Sequence, residues 1–166
     1  PIVITGFMAA GKTAVAAALA RRLSCSMIDL DEFIRKREGR TPQEIIDEEG
    51  EGRFREIESE ALRRALESGV ARIIALGGGA WTIPSNRALV LEHNGFTVWL
   101  DAPFELCWRR VEGEADTRPF ARNFDGARKL YDRRRLVYEQ AEFHVKVVED
   151  KSPEMIAKEI ADALPE

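Results

Sequence analysis

The fold is decided by one stretch of sequence, Gly6-Phe7-Met8-Ala9-Ala10-Gly11-Lys12-Thr13. It is a complete G-x-x-x-x-G-K-[ST] loop between the apolar run Ile2–Thr5, a predicted buried strand, and a predicted helix. The two glycines let the backbone curl so that its N–H groups point at phosphate oxygens. Lys12 reaches the outer phosphates, and the Thr13 hydroxyl can join a Mg²⁺ shell. The motif predicts binding of a nucleoside triphosphate with Mg²⁺.

Short apolar segments alternate with helical patterns along the whole chain. The predicted strands are Ile2–Thr5, Ser26–Asp29, Arg72–Leu76, Thr97–Leu100 and Phe143–Val148. The predicted helices are Lys12–Leu23, Leu30–Arg37, Pro42–Glu49, Arg53–Glu67, Asn86–His93, Pro103–Val111, Asp125–Ala141 and Pro153–Leu164. This order indicates one α/β domain over residues 1–166 with a parallel sheet, and sites at the carboxyl ends of its strands.

Composition narrows the class of protein. The chain has 166 residues, of which 45% are hydrophobic and 33% are charged, with a net charge of −4. An acidic balance argues against a general nucleic-acid binder. Cys25 and Cys107 are far apart and show no metal-ligand spacing, so neither a disulfide scaffold nor a zinc site is expected. Without an apolar run of membrane-spanning length or a signal-peptide pattern, we expect a cytoplasmic monomer without a membrane partner.

Paired acids follow the second predicted strand, as Asp29-Leu30-Asp31. In an extended backbone, residues two apart point to the same side, so both carboxylates would face one cleft. Phosphoryl transfer uses one acid to hold Mg²⁺ and another to position the acceptor hydroxyl. The alternative is a strand end at which one of the two acids caps the next helix. Asp101, after the apolar residues 98–100, competes for the metal-holding role, although its position also suits a helix N-cap.

Two further motifs point towards a ligand. Arg55 and Glu58 are three residues apart on a predicted helix, and this spacing alone favours an exposed ion pair over a carboxylate-binding arginine with its partner. Gly77, Gly78 and Gly79 follow the third strand. Three consecutive glycines there favour close backbone access to a ligand above the sheet, rather than a simple turn.

Arginines concentrate late in the chain, at positions 109, 110, 118, 122, 128, 133, 134 and 135. Most must be solvated, but one or two could bind phosphate or carboxylate. Arg118 lies in the segment Glu112–Phe124, which lacks periodicity and is predicted to be a lid mobile when empty. From the lid, Arg118 could reach a γ-phosphoryl group, and one residue of 133–135 could bind the acceptor. The alternative is that this cluster is an RNA-binding stripe, but no regular interleaving of aromatic residues, which would stack on bases, supports it.

Taken in order, these motifs resemble the shikimate kinase family. They are Gly6–Thr13, Asp29-Leu30-Asp31, Phe54-Arg55-Glu56-Ile57-Glu58, Gly77-Gly78-Gly79, Arg118-Pro119, and Arg134 four residues before Tyr138. The resemblance implies a three-layer P-loop kinase fold with a five-stranded parallel sheet in the order 2-3-1-4-5, flanked by helices, with a mobile lid. It also implies transfer of the γ-phosphoryl group of MgATP to the 3-hydroxyl of shikimate, in aromatic amino-acid biosynthesis.

The resemblance also implies roles for individual residues. Lys12 and Arg118 would contact the transferring phosphoryl group, and Thr13 with Asp29 would organise Mg²⁺, which resolves the competition with Asp101. Asp31 would hold the acceptor hydroxyl and act as base. The shikimate-binding residues would be Asp31, Arg55, Gly77, Gly78, Gly79 and Arg134, with Glu58 orienting Arg55, on acceptor-binding helices at about 30–60. The ATP-binding residues would be Gly6, Ala9, Ala10, Gly11, Lys12, Thr13, Ala14, Arg110, Arg118 and Pro153.

The chain departs from the family pattern at three places. Ala9 stands where many members carry a third loop glycine. The spacing from Arg110 to Arg118 is about one residue longer than usual, which leaves Arg109 and Arg110 both open as the adenine contact. The family's R-x-P-x-Y lacks its proline at Leu136. That absence leaves residues 133–135 open for the carboxylate contact, with Arg134 favoured by its spacing to Tyr138.

Two other functions fit parts of the sequence. One is a different small-molecule P-loop kinase resembling gluconate kinase, which shares the loop and the paired acids. The other is an ATP sensor without catalysis, although such a sensor would be expected to lose Lys12 or Asp31, and both are present.

Overall fold

The computed structural model describes residues 1–113 and 123–166. Five parallel strands form one sheet in the order β2-β3-β1-β4-β5, which confirms the predicted order. The strands are β1 (Ile2–Thr5), β2 (Met27–Asp29), β3 (Ile73–Ala75), β4 (Phe96–Asp101) and β5 (Phe143–Lys146). Most of the predicted lid, with Arg118 and Pro119, lies outside the described residues, so the lid and the role of Arg118 stay predictions.

Helices follow the strands and cover the sheet. They are α1 (Lys12–Leu23), α2 (Leu30–Glu38), α3 (Pro42–Glu49), α4 (Glu51–Ser68), α5 (Pro84–Glu92), α6 (Phe104–Glu112), α7 (Phe124–Tyr138) and α8 (Pro153–Ala163). Each overlaps a helix predicted from the sequence. A short 3₁₀ helix at Ala80–Thr82 was not predicted, because three residues are too few to show a period.

The core lies on both faces of the sheet. Val3 and Ile4 in the central strand β1 are fully buried, as are Ile73 and Ile74 in the neighbouring β3. Strands covered on both faces need apolar residues at successive positions, which explains why these segments are apolar runs without alternation. In the part of the chain that the structure describes, no helix is both long and apolar enough to cross a membrane.

The topology brings the motifs to one edge of the sheet. The phosphate-binding loop follows β1, Asp29 ends β2, and the three glycines follow β3. In the sheet, β1 and β2 both pair with β3, so these three strand ends are neighbours. The fold therefore collects residues from positions 6 to 79 at one cleft.

Candidate active site

A cavity of about 740 Å³ opens at this edge of the sheet. Its walls come from the phosphate-binding loop, the start of α2, the start of α3, the middle of α4 and the glycine loop. Its lining includes the predicted site residues Ala9, Gly11, Lys12, Thr13, Ala14, Asp29, Asp31, Arg55, Glu58, Gly77, Gly78, Gly79, Arg110 and Arg134. Thus one cavity joins the predicted donor and acceptor residues.

The phosphate-binding loop has the backbone shape that its glycines allow. Gly11 has a φ of 99°, and a side chain at Gly6 would lie 3.0 Å from the Leu100 carbonyl oxygen. The Lys12 ammonium group donates to the Gly6 and Phe7 carbonyls at 2.8 Å each. These bonds hold a largely buried positive charge inside the curl of the loop, beside the N-terminus of α1.

Arg110 is the arginine of α6 that reaches the loop. Its Nη1 donates to the Ala9 carbonyl at 2.9 Å. Arg109 turns away and pairs with Glu149 at 3.2 Å, where both side chains are more than half exposed. Successive residues on a helix point about 100° apart, so only one of them can face the cavity. The geometry selects Arg110 over Arg109 as the cavity-facing residue.

The paired acids reach the cavity differently from the prediction. β2 ends at Asp29 and α2 begins at Leu30, as the predicted helix Leu30–Arg37 required, so Asp31 lies in the first turn of a helix. The expectation of an extended backbone through Asp31 was therefore wrong, although both carboxylates line one cavity as expected. Asp29 Oδ1 accepts from the Glu32 N–H at 3.2 Å as the N-cap of α2, while Oδ2 accepts from the Thr13 hydroxyl. Capping and a place in the cavity are therefore compatible in one residue.

Asp101 takes no part in this cleft. Its carboxylate pairs with Lys146 of β5, and it is absent from the cavity lining. The N-cap position of α6 is Pro103 and receives no side-chain hydrogen bond, so the capping interpretation of Asp101 was also wrong. The partner of Asp101 comes from the neighbouring strand β5 and lies 45 residues later in the chain, so it cannot be identified as a neighbour from the sequence alone.

Arg55 and Glu58 form a buried ion pair. Arg55 Nη1 lies 2.7 Å from Glu58 Oε1, and the two side chains are 17% and 1% exposed. The exposed ion pair that the spacing favoured was therefore wrong. Burial raises the pKa of Glu58 to about 6, with Arg55 opposing the shift and Asp31 adding to it.

Each of the three glycines leaves room for a different polar side chain. A Cβ at Gly77 would lie 2.8 Å from Asp31 Oδ1, and one at Gly78 would lie 3.1 Å from Arg134 Nη1. A Cβ at Gly79 would lie only 2.4 Å from Arg55 Nη2. The glycine run lines the cavity, and it also lets the side chains of Asp31, Arg55 and Arg134 approach the backbone.

Arg134 is the buried member of its run of three arginines. Its side chain is 8% exposed and lines the cavity, whereas Arg133 and Arg135 are exposed. Burial lowers the pKa of Arg134, and Tyr138 partly opposes this shift. The structure thus places Arg134, favoured by spacing, on the same wall as Arg55.

Several lining residues were missed from the sequence. They are Met8, Glu32, Arg35, Thr41, Pro42, Gln43, Phe54 and Leu76. Thr41 forms a capping box with Glu44, and that signal marks the start of α3 in the sequence. No local pattern shows that this helix start faces a cavity. Arg35 pairs with Glu32 at 2.7 Å at the start of α2.

Three predicted ATP contacts are absent from the described cavity lining. Gly6 and Ala10 are buried in the loop, and Pro153 opens α8 after the N-cap Ser152. Their contacts with ATP stay predictions. Among the described residues, no group of three or more His, Cys, Asp or Glu side chains could hold a metal ion.

A family model matches nearly the whole of this chain. The family model described as shikimate kinase matches residues 8–165. A shikimate kinase of Cereibacter sphaeroides is 40% identical over 166 residues, covering 98% of this chain and 81% of the relative. One of Nostoc punctiforme is 37% identical over 165 residues, covering 98% and 89%.

Two solved structures have the same fold. The shikimate kinase from Acinetobacter baumannii in complex with shikimate has a TM-score of 0.89 and 30% identity, covering 97% of this chain and 90% of that one. A sugar kinase from Janibacter sp. has a TM-score of 0.60 and 18% identity, covering 97% and 91%. The latter likeness shows the fold alone.

Proposed function

The chain belongs to the shikimate kinase family, and we propose that the cavity described above is where it carries out the family's reaction. The chain is an ATP-dependent kinase that transfers the γ-phosphoryl group of ATP to the 3-hydroxyl of shikimate, giving shikimate 3-phosphate and ADP. One observation carries the assignment of the site: Arg55, Arg134 and Asp31 converge on the glycine loop in the same cavity as the phosphate-binding loop.

The donor end binds ATP through the phosphate-binding loop. The N–H groups of the loop and the start of α1 face the phosphates, and Lys12 supplies a positive charge. On binding ATP, Lys12 exchanges its bonds to the Gly6 and Phe7 carbonyls for phosphate oxygens. Arg110 and Pro153 contact the adenine, and Arg118 approaches the γ-phosphoryl group from the lid. The position of Arg110 beside the Ala9 carbonyl supports its part in this proposal.

Thr13 and Asp29 are the residues that would hold Mg²⁺. Their side-chain oxygens are already hydrogen-bonded to each other, and both line the cavity. Hard oxygen donors, few in number, suit Mg²⁺, which takes its remaining ligands from phosphates and water. When bound, the ion neutralises charge that develops on the phosphate oxygens.

Asp31 activates the acceptor. Its carboxylate lies beside Gly77, in the cavity that the phosphate-binding loop, Arg55 and Arg134 also line. From there Asp31 accepts a hydrogen bond from the 3-hydroxyl and takes its proton as the oxygen attacks the γ-phosphorus. The bond from that phosphorus to the β–γ bridging oxygen breaks, and ADP leaves. The proton ends on the Asp31 carboxylate.

Arg55 and Arg134 bind the acceptor carboxylate. A guanidinium group offers two parallel N–H donors to one carboxylate, and two such groups fix its orientation. The buried Glu58 holds Arg55 in place at 2.7 Å. Fixing the carboxylate sets which ring hydroxyl reaches Asp31, so this end of the cavity determines both affinity and regiochemistry.

We also propose that the enzyme is a cytoplasmic monomer with no nucleic-acid or membrane partner. The net charge of −4 supports the absence of a nucleic-acid partner. Free thiols at Cys25 and Cys107 fit a reducing compartment. Sedimentation of the purified protein tests the monomer directly.

The deciding experiment is a coupled assay of ADP release, with ATP, Mg²⁺ and shikimate. We expect saturable, shikimate-dependent turnover, and a kcat about 10²- to 10⁴-fold lower with Asp31→Asn. A panel that includes gluconate tests the related sugar-acid kinases. Absence of shikimate-dependent turnover at millimolar substrate would overturn the proposal, and ATP binding without transfer to any hydroxy acid would indicate a sensor.

A further inference from the structure

We propose that Tyr138 is a positioning residue for the acceptor site, in which its hydroxyl, bonded to the Gly78 carbonyl, also holds the Arg134 guanidinium in place. This inference rests on the proposed function, since it assigns a carboxylate-binding role to Arg134. Tyr138 is absent from the cavity lining, so its hydroxyl acts on the ligand only through these two neighbours.

The Tyr138 hydroxyl, the Gly78 carbonyl and the Arg134 guanidinium lie close together. The Tyr138 hydroxyl donates to the Gly78 carbonyl oxygen, and the Arg134 guanidinium, one helical turn earlier, is near enough to oppose the rise in the pKa of Tyr138. Arg134 Nη1 also lies 3.1 Å from the position that a Cβ on Gly78 would occupy. Tyr138 is 1% exposed and Arg134 is 8% exposed, so little water is available to replace a lost bond.

The direction of these bonds is fixed by charge. The Tyr138 proton is directed to Gly78, and a guanidinium group can only donate, so a bond between Arg134 and Tyr138 is one that the phenol oxygen accepts. Burial raises the pKa of Tyr138 to about 12, so the hydroxyl keeps its proton at neutral pH. The hydroxyl is therefore both the donor and the acceptor that this arrangement needs.

The geometry of α7 places Arg134 and Tyr138 beside the same loop, the glycine loop. Arg134 and Tyr138 are four residues apart on α7, so their side chains lie on the same face. Leu136, which stands where the family motif has proline, is 68% exposed, and the helix continues through it to Tyr138. Trp81 Nε1 also donates to the Val137 carbonyl at 3.1 Å, a second link between α7 and the segment after the glycines.

The consequence is specific to the acceptor. Gly78 lies between Gly77, where a Cβ would meet the Asp31 carboxylate, and Gly79, where a Cβ would meet the Arg55 guanidinium. Without the phenol hydroxyl, Arg134 loses one fixed partner and the Gly78 carbonyl loses its donor. The carboxylate-binding geometry then loosens, while the phosphate-binding loop keeps all of its own contacts.

A purely structural role is the alternative, because the Tyr138 ring packs 6.2 Å from that of Trp99. Tyr138→Phe separates the two roles, since it keeps the ring and removes only the hydroxyl. Tyr131→Phe is the matched control. Tyr131 lies on the same helix, is also buried, and donates to the Ala102 carbonyl at 2.7 Å, outside the cavity.

We expect Tyr138→Phe to raise the KM for shikimate about tenfold, the size of effect expected when a charged group loses a buried hydrogen bond. The KM for ATP should stay within about twofold of the wild-type value, as should kcat at saturating shikimate. Tyr131→Phe should leave all three constants within about twofold. In an Arg134→Ala background, the Tyr138→Phe change should add no further rise in the KM for shikimate.

An unchanged KM for shikimate in Tyr138→Phe overturns the inference, as does a rise in both KM values together. A full additional effect in the Arg134→Ala background shows that the hydroxyl does not act through Arg134. Failure of the proposed function looks different, because wild-type protein would then show no shikimate-dependent turnover. If the wild-type protein turns over shikimate and Tyr138→Phe leaves the KM for shikimate unchanged, only the inference about Tyr138 fails.

Discussion

Glu58 lies 2.7 Å from Arg55 with only 1% of its side chain exposed, so an ion pair is buried at the acceptor end of the cavity. A buried carboxylate is costly unless it is paired, and here the pairing does not fully offset the cost of burial. The result is a pKa of about 6 for Glu58, raised from 4.5. The pair therefore serves to position Arg55 more than it serves stability.

The first prediction concerns pH. Because the pKa is raised in the folded state, the folded protein holds a proton on Glu58 that the unfolded chain has released between about pH 4.5 and 6. The contribution of Glu58 to the free energy of unfolding is full below pH 4.5 and falls as pH rises through 6, by about 2 kcal/mol in total. Urea unfolding at a series of pH values from about 4.5 to 7.5 measures this change in the free energy of unfolding.

The Glu58→Gln variant should lack this part of the pH dependence. Glu60→Gln is the control, because Glu60 lies on the same helix and is half exposed beside Arg64. If wild-type protein and Glu58→Gln lose stability in parallel over this range, the carboxylate is not protonated as described.

The second prediction concerns the shape of the arginine. Arg55→Lys keeps the charge but loses the planar pair of donors, so we expect the KM for shikimate to rise about 10- to 100-fold, with the KM for ATP unchanged. Arg53→Lys is the control, since Arg53 lies on the same helix with half of its side chain exposed. If the two variants have the same KM for shikimate, Arg55 does not bind the acceptor.

The third prediction concerns space beside the glycine loop. Gly79→Ala would place a Cβ 2.4 Å from Arg55 Nη2, so the guanidinium must move and the KM for shikimate should rise at least tenfold. Gly52→Ala is the control, because no atom lies within 4 Å of its Cβ position. In helix α4 that change should stabilise the fold by about 0.5–1 kcal/mol and leave KM alone. Steady-state kinetics and urea unfolding of both variants decide it.

The fourth prediction separates chemistry from binding. Asp31→Asn removes the proton acceptor, so kcat should fall by about 10²- to 10⁴-fold. The dissociation constant of ATP, measured by calorimetry, should change less than about twofold, because Asp31 lies at the acceptor end of the cavity. Asp132→Asn, at an exposed site on α7, should match the wild type. A kcat for Asp31→Asn within tenfold of the wild-type value would reject Asp31 as the base.

The fifth prediction concerns strain in the phosphate-binding loop. Ala9 has a φ of 61°, the left-handed region that costs an L-residue about 1–2 kcal/mol. Ala9→Gly relieves that cost but makes the unfolded chain more flexible, so we expect a net gain of about 0.5–1 kcal/mol in urea unfolding. Ala17→Gly, inside α1, should lose about 1 kcal/mol. If Ala9→Gly lowers the free energy of unfolding as much as Ala17→Gly does, the backbone at Ala9 is not strained.

Local pattern explains what could be predicted from the sequence. The loop Gly6–Thr13, the apolar strands and the helix periods depend on neighbours along the chain, and each appears close to its predicted position. The order of motifs was specific enough to indicate the family, and hence the order of the strands. Asp29 shows the limit of such reasoning, since two interpretations that seemed exclusive are both satisfied by its two carboxylate oxygens.

Tertiary structure decided the rest. The spacing of Arg55 and Glu58 is the same for an exposed pair and a buried one, and only the packing of α4 against the glycine loop distinguishes them. The same holds for Arg134 among its neighbours, and for Asp101, whose partner Lys146 comes from the next strand. The sequence by itself determined the helices, the strands and the phosphate-binding loop, because local backbone geometry specifies them, and the order of its motifs indicated the family and with it the strand order. Burial and partners at the acceptor site come from residues distant in the chain, so the folded structure alone decided them.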